Sequence, residues 1–169
     1  RFLRDKYDTA TRNKILESDT GFSADIWNGL AELGVIGALF TEDQGGFGGA
    51  GFDIAVVFEE LGRAGVVEPF LDTAVLGGGL NADMLIVSAR ESGDAGDENG
   101  ISLFLVPADT KGITLQGYAL LAGGRAAEVT LDDVSVPASA RLGEAGKAFK
   151  AIEARVAAAN VATCAETLG

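Results

Sequence analysis

The 169-residue chain is 47% apolar with a net charge of −12, which makes it globular and argues against a nucleic-acid partner, since phosphate binding needs clustered Lys and Arg. It has no histidine and one cysteine, Cys164, which excludes Ser-His-Asp and Cys-His machinery, histidine metal ligation, an internal disulfide and a cysteine zinc site; no metal is expected. No apolar run approaches the roughly 20 residues of a membrane helix, and an opening Arg1 without a signal-peptide pattern reads as a truncated start.

Residues 1–80 read as a helical domain. The weak basic cluster Arg1, Arg4, Lys6, Arg12 and Lys14 suits a solvated helix face. Ser23 is an N-cap for a helix whose Ile26, Trp27, Leu30 and Leu33 recur at helical spacing, and Gly34 is placed to end it. Asp53 is a candidate cap for a second helix, with Ile54, Val57, Phe58 and Leu61 inward and Glu59, Glu60 and Arg63 outward. Glu68–Pro69 suits a third helix start, carrying Leu71, Val75 and Leu76. Trp27, Phe47 and Phe58 are expected in the core.

Between the first two helices, Gly46, Gly48 and Gly51 spell G-x-G-x-x-G. A dinucleotide site needs that motif between a strand and a helix. No βαβ alternation surrounds it, and Glu42 and Asp43 beside it would repel phosphate, so a tight connecting loop is the better reading. Gly146–Lys147 is no P-loop, because Ala148 follows where Ser or Thr is needed.

Residues 81–143 read as a β domain. Met84–Val87 and Ile101–Val106 are strand-like runs around an acidic, glycine-rich loop, and Ile113–Leu115 and Glu128–Leu131 suggest further strands. The carboxylate pairs Glu59/Glu60 and Asp132/Asp133 are sequence neighbours whose side chains diverge, which makes them poor acid-base dyads. From Glu144 the pattern returns to helix, with Phe149, Ile152, Val156 and Ala159 on one face and Cys164 expected to be a small buried hydrophobe. The fold class is α+β: an N-terminal helical domain, a middle β-barrel-like domain, and residues 144–169 as the start of a C-terminal helical bundle.

Five segments carry a family resemblance: WNGLAELGVIGALFTEDQGGFGG, FDIAVVFEELGRAGVVEPFL, ADMLIVSAR, ISLFLVPADTKGITL and VTLDDVSVPASARLGEAGKAF. In this order they resemble the acyl-CoA dehydrogenase family. The VVEPFLDTAVLGGG and YALLAGGRAAEVTL wording is most similar to the branch with pimeloyl-CoA dehydrogenase small subunits. The resemblance implies FAD lying between a β domain and C-terminal helices, a glutamate taking the acyl α-proton, and a hydride passing to the flavin. It further implies an acyl-CoA substrate, a cytoplasmic homodimer or tetramer (or a heterotetramer), and an electron-transferring flavoprotein as partner.

The chain also departs from the family pattern. Leu80 runs directly into Asn81, where the family has a long segment with a Thr-Glu-Pro-like flavin motif. The usual positions of the catalytic glutamate lie in helices beyond Gly169. No catalytic residue is therefore assigned within the chain, and the chain alone is not expected to bind FAD. By resemblance, Ser88 and Asn160 lie near the CoA portion, as substrate-pocket residues or as plain structural ones. Asn160 takes the place of a family arginine. A non-catalytic subunit of a heteromeric dehydrogenase, or a flavin oxidase or monooxygenase on the same fold, are the alternatives.

Overall fold

The computed structural model describes residues 1–49, 51–70, 82–119 and 125–169. Two short helices open it, α1 (Phe2–Lys6) and α2 (Thr9–Leu16). Asp8 caps α2 by accepting the Thr11 N–H at 2.8 Å. In α3 (Ala24–Glu32), Ser23 accepts from Ile26 at the N-terminus as its sequence position predicts. Gly34 ends the helix at φ +77°, with Gly34 N–H on Ala31 O and Val35 N–H on Leu30 O, the Schellman arrangement.

Helix α4 (Gly51–Ala64) starts two residues before Asp53, which therefore lies in the first turn and is not the cap. There its carboxylate faces the positive end of the helix dipole. Ile54, Phe58 and Leu61 of α4 meet Leu30, Leu39 and Phe70 in the main apolar cluster. Phe58 is 1% exposed; burying a side chain of this size is worth about 1.5–3 kcal/mol. The Phe70 ring packs 5.2 Å from Trp27 and 6.1 Å from Phe58, centroid to centroid. Two expected core residues lie outside it. Leu33 is 59% exposed, because the helix ends beside it and turns it away; Phe47 is 67% exposed, its ring lying across Gly34 and Gly37 at the surface. The segment expected to form a third helix lies outside the described residues from Leu71 onward.

The strands form two antiparallel sheets. β1 (Met84–Arg90) pairs with β2 (Ile101–Pro107), which also pairs with the short β5 (Arg141–Leu142). β3 (Ile113–Ala119) and β4 (Arg125–Leu131) make a separate hairpin. Among the described residues of these strands, Leu85, Ser102 and Val106 are buried. Arg125 ties the hairpin to the helical half: its stem lies over Gly21 and its guanidinium donates to Ser18 O at 3.0 Å.

Helix α5 (Phe149–Leu168) begins five residues after Glu144 and returns the chain to the helical half. Its buried stripe is Ala159, Ala162 and Ala165, and α4 meets it at Gly62, where a Cβ would strike the Glu166 backbone. Close backbone approach through small residues fixes this contact, so Val156, expected on the buried face, stays 47% exposed. Cys164, expected to be buried, is exposed, one position before the stripe residue Ala165.

Candidate functional site

The G-x-G-x-x-G loop forms no phosphate cradle. A 3₁₀ turn at Gly37–Leu39 precedes it where a dinucleotide site needs a strand. Its backbone donors are used internally: Gly46 N–H bonds Thr41 O, Phe47 N–H bonds Gly37 O, Gly48 N–H bonds Phe40 O and Gly49 N–H bonds Ala38 O. Side chains at Gly46, Gly48 or Gly49 would collide with the Ala38–Thr41 backbone. The glycines are there for close packing.

Strand alternation sorts the three-stranded sheet into two faces. Leu85, Val106 and Ser102 lie on the buried one. On the other, Ser88 stands exposed opposite Leu103, in line with Met84 and Ile86 on its own strand and Leu105 on the next. Leu142 extends this face across β5, opposite Leu103. Met84, Ile86, Leu105 and Leu142 are each at least 37% exposed, so Ser88 sits on an apolar, open sheet surface. Asn160 is exposed on α5, next to Ala159 of the buried stripe. Neither the Ser88 nor the Asn160 side chain makes a hydrogen bond or ion pair among the described residues.

A polar network missed by the sequence reading connects this sheet to α5. Ser102, completely buried on β2, donates to Glu91 and accepts the Gly146 N–H at 2.8 Å. Glu91 in turn accepts from Arg141 at 2.7 Å, and the Arg141 guanidinium lies 5.8 Å from the Phe104 ring centroid. The Ser102 hydroxyl, then Arg141, hold the Glu91 carboxyl below its ordinary value. Beside them, Gly100 N–H bonds Gly146 O and Ala148 N–H bonds Ile101 O, so the loop leading into α5 is pinned to the start of β2. The sequence placed Glu91 in an exposed acidic loop; its partners lie 11 and 50 residues away.

A second missed pair lies in the helical half. Tyr7 donates its hydroxyl to Glu68 at 2.7 Å and accepts the Val67 N–H at 2.9 Å. Both side chains are buried. Burial, then the Glu68 hydrogen bond, push the phenol well above its ordinary range. Glu68 Oε1 has no hydrogen-bond partner among the described residues, and Arg12 donates to Gly65 O at 2.9 Å.

The described residues offer a flavin an apolar sheet face, and the three arginines of the strands are engaged within the fold. Arg90 gives its guanidinium to the carbonyls of Ser92, Asp97 and Asn99, Arg125 to Ser18 O, and Arg141 to Glu91. The glycine-loop amides are also occupied. Among the described residues no group of His, Cys, Asp and Glu could hold a metal, and no helix is long and apolar enough to cross a membrane.

Comparison with known proteins places this architecture. The acyl-CoA dehydrogenase N-terminal domain family matches residues 1–88. The acyl-CoA dehydrogenase IpdE2 of Mycolicibacterium smegmatis is 41% identical over 61 residues, 36% of this chain and 20% of that protein. The ChsE4–ChsE5 complex from Mycobacterium tuberculosis superposes with a TM-score of 0.77 at 16% identity, over 99% of this chain and 60% of that one. Butyryl-CoA dehydrogenase from Megasphaera elsdenii gives 0.67 at 20% identity, over 98% and 63%. The matched region is thus about a fifth of the curated relative and under two thirds of the solved chains. The helical half, the antiparallel sheets and the returning helix are arranged as in these enzymes, and more than half of the sequence matches the family's N-terminal domain: the chain belongs to the acyl-CoA dehydrogenase family.

Proposed function

We propose that the protein takes part in the FAD-dependent α,β-dehydrogenation of an acyl-CoA thioester. The observation that carries this reading is the match of residues 1–88 to the acyl-CoA dehydrogenase N-terminal domain. In this reading the chain contributes walls to the site and not its reacting groups. The apolar face around Ser88 would lie along the thioester arm or the flavin ring, and Asn160 would approach the CoA portion from α5. FAD supplies the redox chemistry when bound. Its diphosphate contacts and the base for the α-proton would come from residues outside this chain. The enzyme would be a cytoplasmic dimer or tetramer passing electrons to an electron-transferring flavoprotein.

A second reading is a non-catalytic subunit of a heteromeric dehydrogenase. It is favoured by Asn160 at the position of a family arginine and by the fold shared with a complex of two named partners.

The test is anaerobic titration of the full-length, FAD-reconstituted protein with a panel of acyl-CoA thioesters, followed by flavin absorbance. Bleaching by at least one thioester is expected. Protein that retains no flavin, alone or with the product of an adjacent dehydrogenase gene, would sink the first reading. Flavin retained only with the partner would select the second.

A further inference from the structure

The sheet surface that carries Ser88 is braced from behind. Val87 opposite Phe104 and Ala89 opposite Ser102 flank the pair Ser88 and Leu103, and strand alternation turns them to the reverse face. On that face Ser102 is fully buried and donates to one carboxylate oxygen of Glu91, just past the end of β1. Arg141, opposite Phe104 on β5, donates to the other oxygen at 2.7 Å. A single carboxylate thus ties together β1, β2 and β5.

The same point fixes the entry to α5. Ser102 Oγ accepts the Gly146 N–H, Ala148 N–H reaches Ile101 O at 2.9 Å, and Ile101 and Lys147 form a parallel bridge. The approach is close: Gly146 sits at φ +71°, and a Cβ there would stand 3.2 Å from Gly100 Cα. Phe149, the first residue of α5, follows Ala148 directly. Further along, Ala159, Ala162 and Ala165 seat α5 on α4, so the joint sets the three-stranded sheet relative to Asn160. Phe149 and Asn160 are about 16 Å apart along the helix axis, so a tilt of about 5° at the joint shifts one against the other by about 1.4 Å.

We propose that Glu91, Ser102 and Arg141 are positioning residues for the acyl-CoA site, a role that rests on the dehydrogenase reading. Acting through the joint, they hold the sheet face around Ser88 and the Asn160 region of α5 at the spacing that grips the CoA portion. They lie on the reverse face of the sheet and touch no ligand themselves. A carboxylate suits the part because it accepts a hydroxyl on one oxygen and a guanidinium on the other. The walls of a binding site meet the ground state and the transition state alike, so loosening the joint weakens binding and spares the chemical step.

The experiment is steady-state kinetics on the full-length, FAD-reconstituted protein, with the thioester that bleaches wild-type flavin fastest and an artificial electron acceptor. Glu91→Ala and Arg141→Ala should each raise KM by about tenfold, with kcat and flavin content within about twofold of wild type. The two together should be no worse than either alone, because they break one unit. Glu98→Ala, exposed in the same loop, should match wild type. Glu91→Gln keeps the side-chain volume and an acceptor for Ser102, so it should give a smaller rise in KM, and it reads the joint even where an alanine variant fails to fold. A purely structural role lowers Tm at unchanged KM. That result, a fall in kcat at unchanged KM, or additive effects on KM would each overturn the proposal. Wild type bleached by no thioester would sink the dehydrogenase reading and this role with it, whereas bleaching with KM unchanged in the variants would sink this role alone.

Discussion

Replacing Tyr7 with Phe removes two buried hydrogen bonds and leaves the ring in place. The hydroxyl donates to Glu68 at 2.7 Å and accepts from Val67 N–H at 2.9 Å. A hydrogen bond to a charged acceptor is worth about 1.5–3 kcal/mol and a neutral one about 1 kcal/mol. Glu68 is 5% exposed, so water cannot readily replace the lost donor. The expected cost is about 3 kcal/mol, which in a chain of this size lowers Tm by about 6–12 °C. Urea denaturation of the full-length protein carrying Tyr7→Phe, Glu68→Gln and both together should give a coupling of about 1.5–3 kcal/mol. The folded phenol lies above its ordinary value of 10.0. Its contribution is therefore fully present below about pH 10 and is lost as pH rises through the folded value. Wild type should accordingly lose stability relative to Tyr7→Phe only in alkaline solution. A cost below about 0.5 kcal/mol for Tyr7→Phe, or a gap between the two proteins that is constant through pH 11, would refute the reasoning.

Ser102→Ala should cost about 1–3 kcal/mol, because it leaves the part-buried Gly146 N–H without its acceptor. The Glu91 carboxyl, held down chiefly by that hydroxyl, should then titrate closer to its ordinary value of 4.5, as read by NMR. In wild type this group favours the fold above about pH 4.5 and ceases to do so as pH falls through the lowered value. Gly62→Ala raises helix propensity by about 1 kcal/mol, yet its methyl would meet the Glu166 backbone, so calorimetry should show a net loss of stability. A gain would mean that α5 moves away at little cost.

What could be read from the sequence is what local patterns encode. The Ser23 cap, the Gly34 stop, the inward Ile54, Phe58 and Leu61, and the strands at Met84 and Ile101 all follow from spacing within one element. The failures share a cause. Leu33 and Val156 have the correct period, but α3 ends beside the first, and α5 presents alanines, not its larger residues, to α4. Cys164 has an apolar sequence context, and only the direction of the α4 contact shows that it faces outward. Tyr7–Glu68 and Ser102–Glu91–Arg141 join residues up to 61 positions apart, a relation no local pattern contains. The apolar face around Ser88 is implicit in strand alternation, but only the register shows that Met84, Ile86, Leu105 and Leu142 share it.

The acidic loop between β1 and β2 holds Glu91, Asp94, Asp97 and Glu98, a composition that elsewhere folds around a bound cation. Here Arg90 gathers the carbonyls of Ser92, Asp97 and Asn99 around its own guanidinium. A covalently attached positive group thus occupies the centre of the turn. The hairpin carries its own counter-ion, and its shape should be indifferent to calcium, to magnesium and to chelators.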